Sequence, residues 1–163
     1  MKGPDVQMST LQRAIEIAVS AHKGQIDKAG SPYVLHPLRI MLKLRSDDER
    51  IVGVLHDVVE DCEGWTFERL AEEGFSDAVI AALRAVTKLP AEEEALSNAR
   101  DADERYRAYE AFVLRAAKNP IGRAVKLADL EDNADLTRIS SPTAKDIERA
   151  QRYRRAIVKL KTL

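Results

Sequence analysis

Glu49-Arg50-Ile51-Val52-Gly53-Val54-Leu55-His56-Asp57-Val58-Val59-Glu60-Asp61 is the stretch that decides the fold class. Its apolar residues lie nearly all round a helical projection, the pattern of a buried helix, and Ser46-Asp47-Asp48 in front of it supplies a turn and an N-cap. As one helix from Glu49 to about Asp61, it sets His56, Glu60, Asp57 and Asp61, in that angular order, across roughly 140° of circumference. All four would then face one pocket, with Val58 and Val59 turned to the core. Ionisable groups in so apolar a segment need partners, because burying charge without compensation is costly.

Outward from this segment, apolar residues recur at helical spacing, and strict alternation with β-branched residues is hard to find. The class is therefore all-α. A first helix is expected from near Ser9, where Ser9 and Gln12 stand in capping-box spacing, to about His22. Residues 24–36, with Gly24, Gly30 and Pro32, read as an ordered loop. Pro37 would open a second helix, Leu38 to about Leu44. Thr66 and Ser76 are N-caps for a short helix ending at Gly74 and a longer one to about Lys88. The acidic segment 89–103 reads either as a solvated loop or as a weak helix. Helices follow over Asp103 to Lys118, from Pro120 through Leu130, and from Pro142 to the C-terminus.

The 163 residues suit one domain spanning 1–163, with no repeat or linker. Lys and Arg number 26 against 27 Asp and Glu, so no net field favours nucleic acid or an anionic membrane. An anionic small-molecule substrate must be caught by a local cluster. The single Cys62 rules out an internal disulfide, and no apolar run is long enough for a signal peptide or membrane span. A cytoplasmic location is expected.

Adjacent imidazole and carboxylate at His56-Asp57 suit a divalent ion such as Mn, Fe or Zn. Further ligands are needed, and His36 beside Pro37 and Asp129 inside the apolar segment 125–130 are the candidates. At this point the chain resembles a known family. Gly24-Gln25, Lys28, Gly30, Pro32-Tyr33 and His36-Pro37, then Leu55-His56-Asp57-Val58-Val59-Glu60-Asp61, then Val86-Thr87-Lys88-Leu89, then Val125-Lys126-Leu127-Ala128-Asp129 with Asn133, are similar in order to the signatures of HD-domain hydrolases of RelA/SpoT type. The stand-alone small alarmone hydrolases are the nearest subgroup.

The resemblance implies an HD-domain helical bundle holding one Mn(2+) ion on His36, His56, Asp57 and Asp129. It implies that Glu60 and Asp61 orient and deprotonate the attacking water, and that the reaction removes the 3′-pyrophosphate of guanosine tetra- and pentaphosphate. Lys28 would meet substrate phosphate, Asn133 would hydrogen-bond the nucleotide, and Lys88 is a further phosphate candidate. Lys126, sharing a helix face with Asp129, is another substrate candidate.

This chain departs from the family at Asp27, where the long hydrolases carry an Arg that packs on guanine. An Asp cannot stack on a base and repels nearby phosphate, which opens adenine alarmones as substrates. Leu130, Glu131 and Asp132 also replace the usual Arg and His after the metal-binding Asp. Two other readings stay open: an HD-domain phosphohydrolase of another phosphorylated nucleotide such as NADPH, and a non-catalytic nucleotide-binding module. His22, Trp65, Tyr106, Tyr109 and Tyr153 read as structural, and Arg149, Arg152, Arg154 and Arg155 as a solvated helix face.

Overall fold

A computed structural model describes residues 8–163. Among them are ten helices: α1 (Leu11–Ala21), α2 (Leu35–Lys43), α3 (Asp47–Leu55), α4 (Val58–Asp61), α5 (Phe67–Glu72), α6 (Asp77–Val86), α7 (Pro90–Asn98), α8 (Ala102–Ala116), α9 (Pro120–Asn133) and α10 (Ala144–Lys161). The β pairing among the described residues is limited to an isolated bridge between Ile26 and Pro32. The fold is all-α, as the periodicity requires. No helix among the described residues is long and apolar enough to cross a membrane.

Several boundaries differ from expectation. Thr10, not Ser9, caps α1, its hydroxyl accepting from the Arg13 amide at 3.3 Å, while the Ser9 hydroxyl donates to the Glu73 carbonyl. α2 begins at Leu35, so His36 and Pro37 lie in its first turn, and this helix position aims the imidazole. Thr143 caps α10, leaving Pro142 outside the helix. Segment 90–98 is helical after all. The Arg115 guanidinium from α8 forks onto Glu92 at 2.7 and 2.9 Å and donates to the Thr87 carbonyl at 2.7 Å, so a tertiary ion pair anchors a helix that buries no apolar face.

The deciding segment is capped as its sequence says, with Ser46 and Glu49 forming a reciprocal capping box. It is not one helix, however. α3 ends at Leu55, and Asp57 sits at φ −100°, ψ −5° before α4 starts. His56 Nδ1 donates to the Gly53 carbonyl at 2.7 Å, the acceptor that an unbroken helix would give to the Asp57 amide. Gly53 is also where α3 meets α2, since a Cβ there would lie 2.5 Å from Leu44 Cδ1 and 3.2 Å from Ile40 Cγ2.

Two apolar clusters flank the site. One joins α1 through α6 and takes in Val125 and Ala128 of α9. The other joins α8 and α10 to Leu130 of α9, with Phe112 and Leu160 fully buried. Burial of each such large side chain stabilises by about 2 kcal/mol. Asp129 falls between Ala128 and Leu130, so the one polar residue between two core positions faces the seam.

Candidate metal centre and substrate cleft

The seam brings together side chains from three parts of the chain. His36 Nε2 lies 3.2 Å from Asp129 Oδ1 and 3.7 Å from Asp57 Oδ2. His56 Nε2 lies 3.0 Å from Asp57 Oδ2 and 3.6 Å from Asp129 Oδ1. Ligand atoms of His36, His56 and Asp129 all stand within 4.8 Å of one another, and all three residues are buried. The four residues expected to hold a metal thus converge, although His36 and Asp129 are far apart in sequence.

The donor chemistry fits a divalent cation. His56 gives its Nδ1–H to Gly53, and its buried Nε2 has no hydrogen-bond partner, which leaves a lone pair aimed at the carboxylates. His36 Nδ1 gives its proton to Asp132 at 2.8 Å, which likewise leaves Nε2 for the pocket. Burial is the largest influence on both imidazoles and pushes them down. The surrounding carboxylates outweigh it, Asp129 and Asp132 for His36, Asp57 and Asp129 for His56, and raise both above the ordinary value. The pocket therefore calls for positive charge where a cation would sit. In Asp57 and Asp129 burial acts upward, but His56 on the first and Lys126 with the histidines on the second hold the carboxyls well below their usual range.

Some of the candidates serve the ligands themselves. Lys126 is buried, its ammonium 2.8 Å from Asp129 Oδ2 and 4.6 Å from the centre of the Phe112 ring. Asn133 Nδ2 donates to Asp129 Oδ1 at 2.7 Å, one helical turn on. The Tyr33 hydroxyl donates to Asp57 Oδ2. Sequence reasoning missed Tyr33 as a site residue, though it follows Pro32 in a quoted motif. It missed Asp132 too, whose only local signal was its place one turn after Asp129.

The four candidate ligands line a pocket of about 150 Å³, which shares His36, Glu60, Lys88 and Asn133 with an adjoining cleft of about 510 Å³. Glu60 and Asp61 stand on the rim of the cleft, with Lys28, Lys88, Asn133 and Arg149 around the wall. Glu60 Oε1 accepts from the Lys88 amide at 2.7 Å, and its Oε2 lies 3.5 Å from the Lys88 ammonium. Burial, then the charges of Asp57 and Glu60, push Asp61 up to about 6.

Asp27 also lines the cleft, but its Oδ1 accepts from the amides of Ala29 and Ser31, each at 2.9 Å, closing the turn that Gly30 completes at φ +82°. One of its oxygens is thus committed to the loop. The basic stretch of α10 is not simply solvated. Arg149 pairs with Asp146 at the cleft, Arg152 lies over the Tyr109 and Tyr153 rings, and Arg155 stacks 3.7 Å over Tyr106. Of the aromatics read as structural, Tyr153 also reaches the cleft.

Comparison with known proteins agrees with this geometry. Over 143 residues the chain is 34% identical to the probable GTP pyrophosphokinase of Mycobacterium leprae, covering 85% of this chain and 17% of that one. Over 127 residues it is 34% identical to the guanosine-3′,5′-bis(diphosphate) 3′-pyrophosphohydrolase of Aquifex aeolicus, covering 76% and 17%. The chain thus spans about a sixth of the length of these curated relatives. Among solved structures, that of a metazoan orthologue of SpoT described as hydrolysing ppGpp superposes with a TM-score of 0.68 at 24% identity, covering 98% of this chain and 87% of the other. That likeness bears on the fold. The HD domain family matches residues 14–151, nearly the whole bundle that frames His36, His56, Asp57 and Asp129, and the chain belongs to that family.

Proposed function

We propose that this chain is a Mn-dependent phosphohydrolase that removes the 3′-pyrophosphate of guanosine tetra- and pentaphosphate, releasing GDP or GTP and pyrophosphate. The observation that carries the reading is the convergence of two imidazole Nε2 atoms with the Asp57 and Asp129 carboxylates beside a cleft large enough for a nucleotide. The names of the two curated relatives, one a pyrophosphokinase and the other a 3′-pyrophosphohydrolase of the same nucleotide class, support the substrate class.

A divalent ion on His36, His56, Asp57 and Asp129 supplies charge that offsets the phosphoryl oxygens and lowers the pKa of water. The chain's own residues do the rest. Asp61, with its raised pKa, takes a proton from the attacking water. Glu60, held by Lys88, orients that water. The oxygen of water bonds to phosphorus as the bond from phosphorus to the 3′ oxygen breaks; the 3′ oxygen takes a proton from solvent, and Asp61 returns its proton to solvent. Lys126 and Asn133 hold Asp129 in place, Asn133 keeping its reach into the cleft, while Lys28 and Lys88 face the phosphates. Hydrolysis in this form needs no covalent intermediate. We place the reaction in the cytoplasm, with one HD domain over residues 1–163.

A second reading keeps the same chemistry on an adenine alarmone or another phosphorylated nucleotide. Asp27 favours it, because a carboxylate at the cleft wall offers neither a stacking face nor attraction for phosphate. The test is pyrophosphate release from ppGpp, pppApp and NADPH by purified protein of measured metal content, with and without Mn. Release from ppGpp that depends on Mn is expected. Metal-loaded protein that releases nothing from any of the three overturns the enzymatic reading in favour of a nucleotide-binding module.

A further inference from the structure

Asp132 has no part in the reaction above, yet it is the most deeply buried carboxylate at the site, 2% exposed. Its Oδ2 accepts from His36 Nδ1 at 2.8 Å, from Arg39 Nη2 at 2.9 Å and from Arg138 Nη2 at 3.3 Å, and its Oδ1 accepts from Arg39 Nε at 2.8 Å. Taking a carboxylate out of water costs several kcal/mol unless its lone pairs are met, and here they are met by two guanidinium groups and an imidazole. Both Arg39 and Arg138 line the substrate cleft.

The two histidines differ in this respect. His56 rests its Nδ1–H on a neutral carbonyl, whereas His36 rests its Nδ1–H on a carboxylate. A carboxylate there fixes the tautomer, so that the lone pair sits on Nε2. It also holds the ring plane and raises the basicity of the ligand nitrogen. A plain clamp between α2 and α9 would need only the Arg39 fork. The additional bond falls on the ligand's far nitrogen, where a clamp has no reason to put it.

We infer that Asp132, gripped by Arg39 and Arg138, is a positioning residue that makes His36 the stronger imidazole ligand of the divalent ion and ties the cleft wall to the metal site. This inference rests on the metal-binding reading and not on the identity of the nucleotide.

The test is titration of the metal-free protein with Co(II), following both affinity and the visible absorption bands that report ligand geometry, alongside thermal melts of the apo form. Asp132→Asn is expected to lose about 10- to 100-fold in affinity, with altered bands. Arg39→Gln, which leaves the carboxylate in place, is expected to lose affinity by a smaller factor with the same spectral change. This second variant carries the test should Asp132→Asn not fold. Glu148→Gln, which removes a surface pair with Arg105, controls for general destabilisation and should bind as wild type does. Lower melting temperatures with wild-type affinity and bands in both Asp132→Asn and Arg39→Gln would make Asp132 a clamp only and overturn the inference. Failure of the wild-type protein to bind Co(II) would instead overturn the metal-binding reading itself.

Discussion

Asp61 serves the site at the expense of the fold, whereas Tyr33 serves it through a hydrogen bond to Asp57. Asp61 ionises in the company of Asp57 and Glu60, so its folded pKa of about 6 lies above the ordinary 3.8. A raised carboxylate pKa means that the fold is penalised once the group ionises. The cost is absent below the unfolded pKa, grows as pH rises between the two values, and is complete above about 6. Asp61→Asn should therefore melt higher than wild type in the metal-free form near pH 7.5, by about 1 kcal/mol after solvent screening, and equally near pH 4. The same variant should lose most turnover while keeping the metal, and full activity would remove Asp61 as proton acceptor. Tyr33 bears on metal binding. Its hydroxyl stays protonated, since burial and the Asp57 charge push its pKa far up, and it donates to Asp57 Oδ2. Tyr33→Phe keeps the ring packed on His22 and removes only this bond, so metal affinity by Mn titration should fall several-fold with little change in apo stability. Unchanged affinity would show that Asp57 needs no such support. His56, Asp57, Glu60 and Asp61 could be recognised from local sequence because ionisable groups in an apolar run are anomalous. Tyr33 and Asp132 could not, since a Tyr after Pro and an Asp in a polar helix end are ordinary there.

At the scale of elements, the junction between α3 and α4 departs most from simple periodicity. A continuous helix would give the Gly53 carbonyl to the Asp57 amide; instead the His56 imidazole takes it, and Asp57 turns with its own backbone geometry. Helical projection put all four side chains in one pocket; in the fold His56, Asp57 and Glu60 line the inner pocket, Asp61 lines the adjoining cleft with Glu60, and the helix breaks at His56 and Asp57. Gly53 has a second constraint in the close approach of α2. Gly53→Val should therefore destabilise by about 1–3 kcal/mol through overpacking against Leu44 and Ile40, measured by urea denaturation. A stable Gly53→Val protein would mean that the two helices can separate at little cost. The ambiguity of segment 89–103 had a different source, since its helix depends on Arg115, a partner that no local pattern announces.

For the whole molecule, the decisive feature is that α9 belongs to both apolar clusters and carries Asp129 where they meet. His36, His56, Asp57 and Asp129 gather in the folded chain only, so a divalent ion must bind the fold far better than the unfolded state. Saturation at about 100 times the dissociation constant should stabilise by about 2.7 kcal/mol, and chelation should remove it. Melting curves with Mn and with chelator check this; identical curves would mean that the pocket holds no ion. By itself the sequence determined the all-helical class, the helix starts at Ser46, Thr66, Ser76 and Pro120, and the identity of the metal-ligand candidates. Periodicity, capping and misplaced charge are properties of short windows, and a short window contains all the physics that fixes them. Only the tertiary structure decided that four candidate ligands from three segments meet, that Asp132 stands behind His36, that Asp27 is partly spent on its own loop, and that Lys126 pairs with Asp129. Each of these depends on distances set by packing between elements remote in the chain, or on competition for a single hydrogen-bonding group, and neither is written in any local stretch of residues.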